Sequence, residues 1–121
     1  MLPLSPSPSR ENGLVWLFKI ISGVLMIVIL GIHLVVNHLL APGGLLTYRD
    51  VVVYFKNPLV IIMETVFLCC AVFHSLLGMR AIFLDLNPSL RLINWVDRLF
   101  LAFGGSVIVY GFWLLLTVSH G

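Results

Sequence analysis

Three long apolar stretches constrain this chain more than anything else in it. They run from about Val15 to Leu40, from about Pro58 to Leu84 and from about Val96 to Val118. The first contains only Lys19 as a charged residue, the second Glu64 and Arg80, and the third has no charge after Arg98. A hydrocarbon core about 30 Å thick takes about 20 residues of helix, so each stretch is long enough to span it with some tilt. Of 121 residues, 60% are hydrophobic and 10% charged, and the mean hydropathy is +1.11. An ordinary soluble domain carries roughly 25% charged residues, so there is too little polar surface here for a soluble globular protein. Disorder is excluded as well, because too few polar groups remain to keep the chain solvated. The expected fold is an all-α integral membrane protein with three transmembrane helices.

The connections carry turn residues: Ala41-Pro42-Gly43-Gly44 after the first span, Asn57-Pro58 before the second and Asn87-Pro88-Ser89 before the third. Basic residues are unevenly distributed among them. Arg10 and Lys19 lie on the N-terminal side and Arg80, Arg91 and Arg98 flank the second loop, against Arg49 and Lys56 in the first loop. The positive-inside rule then puts the N-terminus in the cytoplasm and the C-terminus outside. The net charge of +2 reads as topology and does not indicate a nucleic-acid partner. Residues 1–14, with a Pro/Ser-rich start, are expected to form a mobile cytoplasmic tail, and residues 15–121 the transmembrane anchor. The first apolar segment is too long for a cleaved signal peptide, and no small-residue cleavage site follows it. Cys69 and Cys70 are adjacent, point about 100° apart on a helix and read as small packing residues.

Polar side chains in a membrane helix turn away from lipid, so their angular positions mark the faces that meet protein or cofactor. With Ser22 as origin, Met26, His33, Lys19 and Asn37 all fall within a stripe of about 60°, whereas His38 falls at about 160°, near the outer interface. On the second span Met63, Phe67, Cys70, Ala71, Gly78, Ala81 and Asp85 lie within about 60° of His74. The small residues among them fit close helix packing, and they also leave room beside His74 for a broad, flat group. An ionisable residue inside a span is a functional candidate in its own right.

Depth separates the two inward histidines. His33 lies about 27 Å along a rising first helix and His74 about 24 Å along a descending second one, which puts them at levels roughly 15 Å apart. Two imidazoles on one haem iron lie about 4 Å apart, given metal–nitrogen bonds near 2 Å. His33 and His74 therefore cannot share an iron within this chain. Three helices with polar stripes also cannot hide all of them from lipid by packing on one another, so partner subunits and a larger helix bundle are expected. Ser106, Tyr110 and Trp113 on the third span, with Gly104, Gly105 and Gly111 around them, read as a helix-contact face.

The opening of the first helix, Trp16-Leu17-Phe18-Lys19-Ile20-Ile21-Ser22-Gly23 with His33 further along, resembles the membrane subunits of succinate:quinone oxidoreductase, the succinate dehydrogenases and fumarate reductases of respiratory complex II. In the second helix His74, Gly78, Arg80 and Asp85 follow that family's His-x3-Gly-x-Arg-x4-Asp pattern. The resemblance implies one of a pair of membrane subunits in a prokaryotic cell (inner) membrane. It also implies partners: a flavoprotein subunit, an iron–sulfur subunit and a second membrane-anchor subunit. Electrons from succinate pass in such enzymes to a quinone, with one or two b-type haems shared between the membrane subunits. Carried over by position, His74 is an axial haem ligand near the iron–sulfur partner and His33 the ligand of an outer haem. Arg80 and Lys19 are then placed to neutralise propionates, Ser22 to hydrogen-bond quinone and Asp85 to help deliver protons to it.

Two positions depart from the family. Ile20 stands where a basic residue is usual, with Lys19 displaced by one, and Leu86 stands where the smaller anchor subunits place a Tyr after the Asp. The chain thus shares features of both membrane subunits and is assigned first to the cytochrome b type, with the companion anchor or a haem-free quinone-binding anchor as alternatives. Glu64 lies toward the outer end of the second helix, about 80° from His74. It reads either as a proton-handling carboxylate near the outer haem or as a partner of Arg49 or Lys56. A small transport subunit is the reading from another class, and the lack of a continuous charged ring in the spans weighs against it. The pattern assigns no role to His38 or His120.

Overall fold

A computed structural model describes residues 12–41 and 43–121; most of the expected N-terminal tail lies outside the described residues. Four α-helices follow one another: α1 Gly13–Leu34, α2 Tyr48–Phe55, α3 Pro58–Asp85 and α4 Leu90–His120. Three helical segments are long and apolar enough to cross a membrane: Gly13–Leu39, Pro58–Asp85 and Leu90–His120.

The helix ends follow from local chemistry. Asn12, Asn57 and Ser89 each accept a hydrogen bond from a backbone N–H of the first turn that follows, satisfying donors that have no partner within the helix. Pro58 stands in the first turn of α3, where its missing N–H costs nothing. The Ser89 cap starts α4 at Leu90, ahead of the apolar run expected from about Val96, because a cap and the proline before it start a helix whether or not its first turns are apolar. The C-terminal end of α1 relaxes into a wider π-type turn over Val35–Leu39, closed by Leu40 N–H donating to the Val35 carbonyl at 3.0 Å. This turn breaks the 3.6-residue register, and His38 within it reaches the loop through its side chain, whose Nδ1 meets the Gly44 carbonyl at 3.3 Å. Gly43 and Gly44 hold φ of 82° and 79°, a region that glycine enters without strain.

Helix α2 is an addition to the three spans. Thr47 and Asp50 form a reciprocal capping box: Thr47 N–H and its hydroxyl donate to Asp50 Oδ2 at 2.9 and 2.7 Å, and Asp50 N–H donates to Thr47 Oγ1 at 3.4 Å. The helix packs on both α3 and α4 and buries Val52.

The three spans form a layer. Helix α3 packs against both α1 and α4, while the backbones of α1 and α4 do not approach each other closely among the described residues. Two glycines let α4 approach α3: Gly104 faces Leu76 and Gly111 faces Leu68, in each case so closely that an added Cβ would lie 2.6 Å from a leucine methyl. The contact face of α4 is therefore its glycine side. Ser106, Tyr110 and Trp113, expected on the same face as these glycines, lie about 180–240° round the helix from Gly104 and are exposed in the single chain. Few large side chains are buried at all, Ile29 at 7%, Ile93 and Val96 at 8% and Val52 at 9% exposure. A layer one helix thick presents its broad faces to whatever surrounds it.

Candidate functional site

The α1–α3 contact carries histidines at two levels, and the surroundings of the two differ. At the first, the Lys19 carbonyl of α1 accepts from the Ser22 hydroxyl at 3.0 Å and faces His74 Nδ1 of α3 at 3.1 Å. Ser22 Oγ lies 3.4 Å from the same ring nitrogen. A carbonyl oxygen only accepts, so Nδ1 carries a hydrogen, and in the neutral ring the lone pair is then on Nε2. Gly23 makes the approach possible. A Cβ there would lie 3.0 Å from His74 Cε1 and 3.3 Å from Nδ1, so the ring occupies the space a side chain would fill. Ser22 is buried at 8% exposure.

The second level lies ten residues back along α3 from His74, about 15 Å away. There His33 Nδ1 of α1 lies 2.9 Å from Glu64 Oε1 of α3. Phe67 stacks beside the imidazole with ring centroids 6.3 Å apart. Glu64 is 8% exposed. The contact falls short of hydrogen-bond alignment, and neither atom has another partner. Tyr54 of α2 brings a buried hydroxyl that is likewise unpaired. Burial, followed by the charge of Glu64, pushes the Tyr54 phenol above its ordinary value. Glu64 thus pairs with His33, and of the two sequence readings for its environment the Arg49 or Lys56 partnership is not the one observed.

The remaining candidates sit toward the first-level end. Arg80 grips Asp97 of α4 in a two-pronged ion pair, Nε donating to Oδ1 at 2.7 Å and Nη2 to Oδ2 at 3.1 Å. Asp97 was not singled out from the sequence. The signal was there: Arg80 and Asp97 lie on opposite sides of the short connection after α3, and antiparallel helices joined by a short turn bring such positions level. Asp85 is exposed at the end of α3 and lines a cleft of about 530 Å³ with Arg80, Val15 and Leu77. Ser22 lines a different cleft of about 450 Å³, otherwise apolar except for Cys69 and Cys70, which shares Val15 and Leu77 with the first. Ser22 and Asp85 thus line adjoining clefts and do not line one cavity. Lys19 enters the His74 site through its backbone carbonyl.

Among the described residues no group of three or more His, Cys, Asp and Glu side chains is placed to hold a metal ion by itself. A single imidazole with Nδ1 held by an acceptor and Nε2 bearing the lone pair suits an axial position on a metal that another chain completes. His74 meets that description fully.

An all-α protein with three spans and histidines at two depths of one helix pair is a helical membrane subunit. A family model described as the succinate dehydrogenase/fumarate reductase transmembrane subunit matches residues 4–118. The chain is also 30% identical over 118 residues to the succinate dehydrogenase hydrophobic membrane anchor subunit of Archaeoglobus fulgidus, covering 98% of this chain and 100% of that relative. The chain belongs to the family of succinate dehydrogenase and fumarate reductase transmembrane subunits.

Proposed function

We propose that this chain is a cytochrome b type membrane subunit of succinate dehydrogenase, binding b-type haem and quinone and passing electrons from an iron–sulfur partner to quinone. The observation that carries this reading is His74: its ring packs against Gly23 with Nδ1 facing the Lys19 carbonyl, the pre-set tautomer of a ligating imidazole. His33, one level away, is assigned to a second, outer haem. Each iron is completed by a histidine of the second membrane subunit, for which the open faces of the layer leave room. The haem supplies one-electron transfer when bound, and the chain supplies ligand nitrogens, burial and orientation.

Quinone is assigned to the first-level end, where Ser22 and Asp85 line adjoining clefts. To reach a quinone carbonyl, the Ser22 hydroxyl rotates away from Lys19, whose carbonyl retains His74. Asp85, exposed at the helix end, relays protons from water. Arg80, held by Asp97, and Lys19 lie toward this end to neutralise propionates, and Glu64 handles protons at the outer level. The distribution of Lys and Arg supports a cytoplasmic N-terminus in a prokaryotic cell membrane. A flavoprotein and an iron–sulfur subunit are the assigned soluble partners.

The purified complex is expected to show a reduced-minus-oxidised b-haem spectrum, with one haem lost in His33→Ala and one in His74→Ala. A haem-free spectrum overturns the reading. The second reading, a haem-free anchor that holds quinone, takes support from the relative named a hydrophobic membrane anchor and requires full turnover after both substitutions.

A further inference from the structure

The two histidines are held by chemically different partners. His74 Nδ1 faces a backbone carbonyl at 3.1 Å, a neutral acceptor that no side-chain substitution removes. His33 Nδ1 faces Glu64 Oε1 at 2.9 Å, a side-chain acceptor that bears charge when ionised. The ring nitrogen and the carboxyl oxygen are both buried and face each other, and among the described residues neither has a hydrogen-bond partner. A bare ring lone pair against a carboxylate oxygen at that distance is repulsive, so one of the two groups carries a proton, although the contact is not aligned as a hydrogen bond. With the iron on Nε2, that proton belongs to Nδ1. The Phe67 ring stacks beside the imidazole with centroids 6.3 Å apart.

We propose that Glu64 is the positioning residue of His33: its carboxylate holds Nδ1, leaves Nε2 as the ligating nitrogen, and makes His33 a stronger electron donor than His74. A carboxylate behind a ligating histidine raises the basicity of the ligand. A stronger donor favours the oxidised iron, so the haem held by His33 takes a lower potential than it would with a neutral acceptor in that place. The two levels of one helix pair are thereby tuned apart by one side chain. This rests on the haem assignment made above and adds to it the residue that sets the difference.

The test is a potentiometric titration of the intact purified complex, wild type and Glu64→Gln, following each b-haem signal. Gln keeps the size and an acceptor oxygen but lacks the charge. The haem that disappears in His33→Ala is expected to rise by about a tenfold change in its redox equilibrium, 59 mV for one electron. The haem that disappears in His74→Ala is expected not to move. Equal shifts of both haems, or of neither, overturn the proposal. Solid-state 15N NMR of the histidine-labelled wild-type complex, reduced and diamagnetic, gives a check that needs no variant. His33 Nδ1 is expected to be protonated and more strongly hydrogen-bonded than His74 Nδ1, and the reverse order overturns the proposal. A complex with no haem dependent on His33 overturns the underlying assignment as well. A His33-dependent haem whose potential ignores Glu64 overturns this proposal alone.

Discussion

The Gly23–His74 contact and the His33–Glu64 contact are two crossings of the same helix pair, about 15 Å apart, built on opposite principles. At the first, the partners of the imidazole are a backbone carbonyl and a serine hydroxyl, and a glycine supplies the space. At the second, the partner is an acidic side chain, and the three buried side-chain polar atoms without a hydrogen bond among the described residues belong to His33, Glu64 and Tyr54. A polar group left unsatisfied away from water is costly, so the first crossing is settled and the second retains unmet bonding capacity. The contrast shows that one helix pair can hold one histidine through its backbone and leave the other to depend on a single side chain.

The sharpest way to break this comparison is to fill the glycine. Gly23→Leu puts a side chain where the His74 ring lies, and the haem that depends on His74 is expected to be lost entirely. Gly31→Ala, near the other histidine, has no atom within 4 Å of its new Cβ and should leave the haem content unchanged. Haem per complex, read from the reduced spectrum, decides between them, and equal losses would show that the first crossing has no special need of glycine.

A smaller effect distinguishes the partners. Glu64→Ala removes the carboxyl that faces buried His33 Nδ1 and is expected to destabilise the complex by about 1–3 kcal/mol. Ser22→Ala leaves the Lys19 carbonyl in place for His74, so its cost should stay below about 1 kcal/mol. Thermal unfolding of the purified complexes tests the order, and the comparison fails if Ser22→Ala is the worse of the two.

The smallest effect concerns α2, which packs beside the second crossing. The Thr47 hydroxyl, followed by the Thr47 backbone N–H, holds the Asp50 carboxyl below its ordinary value. Because the folded-state pKa is depressed, this contribution is fully present above the unfolded value of about 3.9. It is lost as pH falls from there through the folded value. Hydrogen exchange of the α2 amides should therefore be steady from neutral pH down to that range and accelerate below it, after correction for the intrinsic rate. The α1–α3 contact at Gly23 should show no such step, since its hydrogen bonds run to a backbone carbonyl.

Much of the frame can be read along the chain because membrane helices report their length and direction locally. The three apolar runs marked the spans, and the rise of 1.5 Å per residue separated His33 from His74. The same rise sets Glu64 level with His33 without showing that the two side chains meet, since contact depends on how α1 and α3 are rotated. Helix α2 has a signal in the sequence, Thr47-x-x-Asp50, that the reading of the first loop does not use. The contact face expected on α4 included Gly104 and Gly111 together with Ser106, Tyr110 and Trp113, and only its glycines meet α3. The packing there rests on Gly104 and Gly111, where the absence of a side chain is what matters.

The sequence by itself determined that this chain lives in a bilayer, how many times it can cross and at what depth each histidine stands, because hydropathy and helical rise are properties of single segments. Only the tertiary structure decided the order of the layer, with α3 between α1 and α4, and the partners of each histidine. Those depend on the mutual rotation and closeness of helices, set by where a glycine lets one backbone approach another. His74 finds the Lys19 carbonyl because Gly23 has no side chain, and that relation appears only when two distant segments are laid side by side.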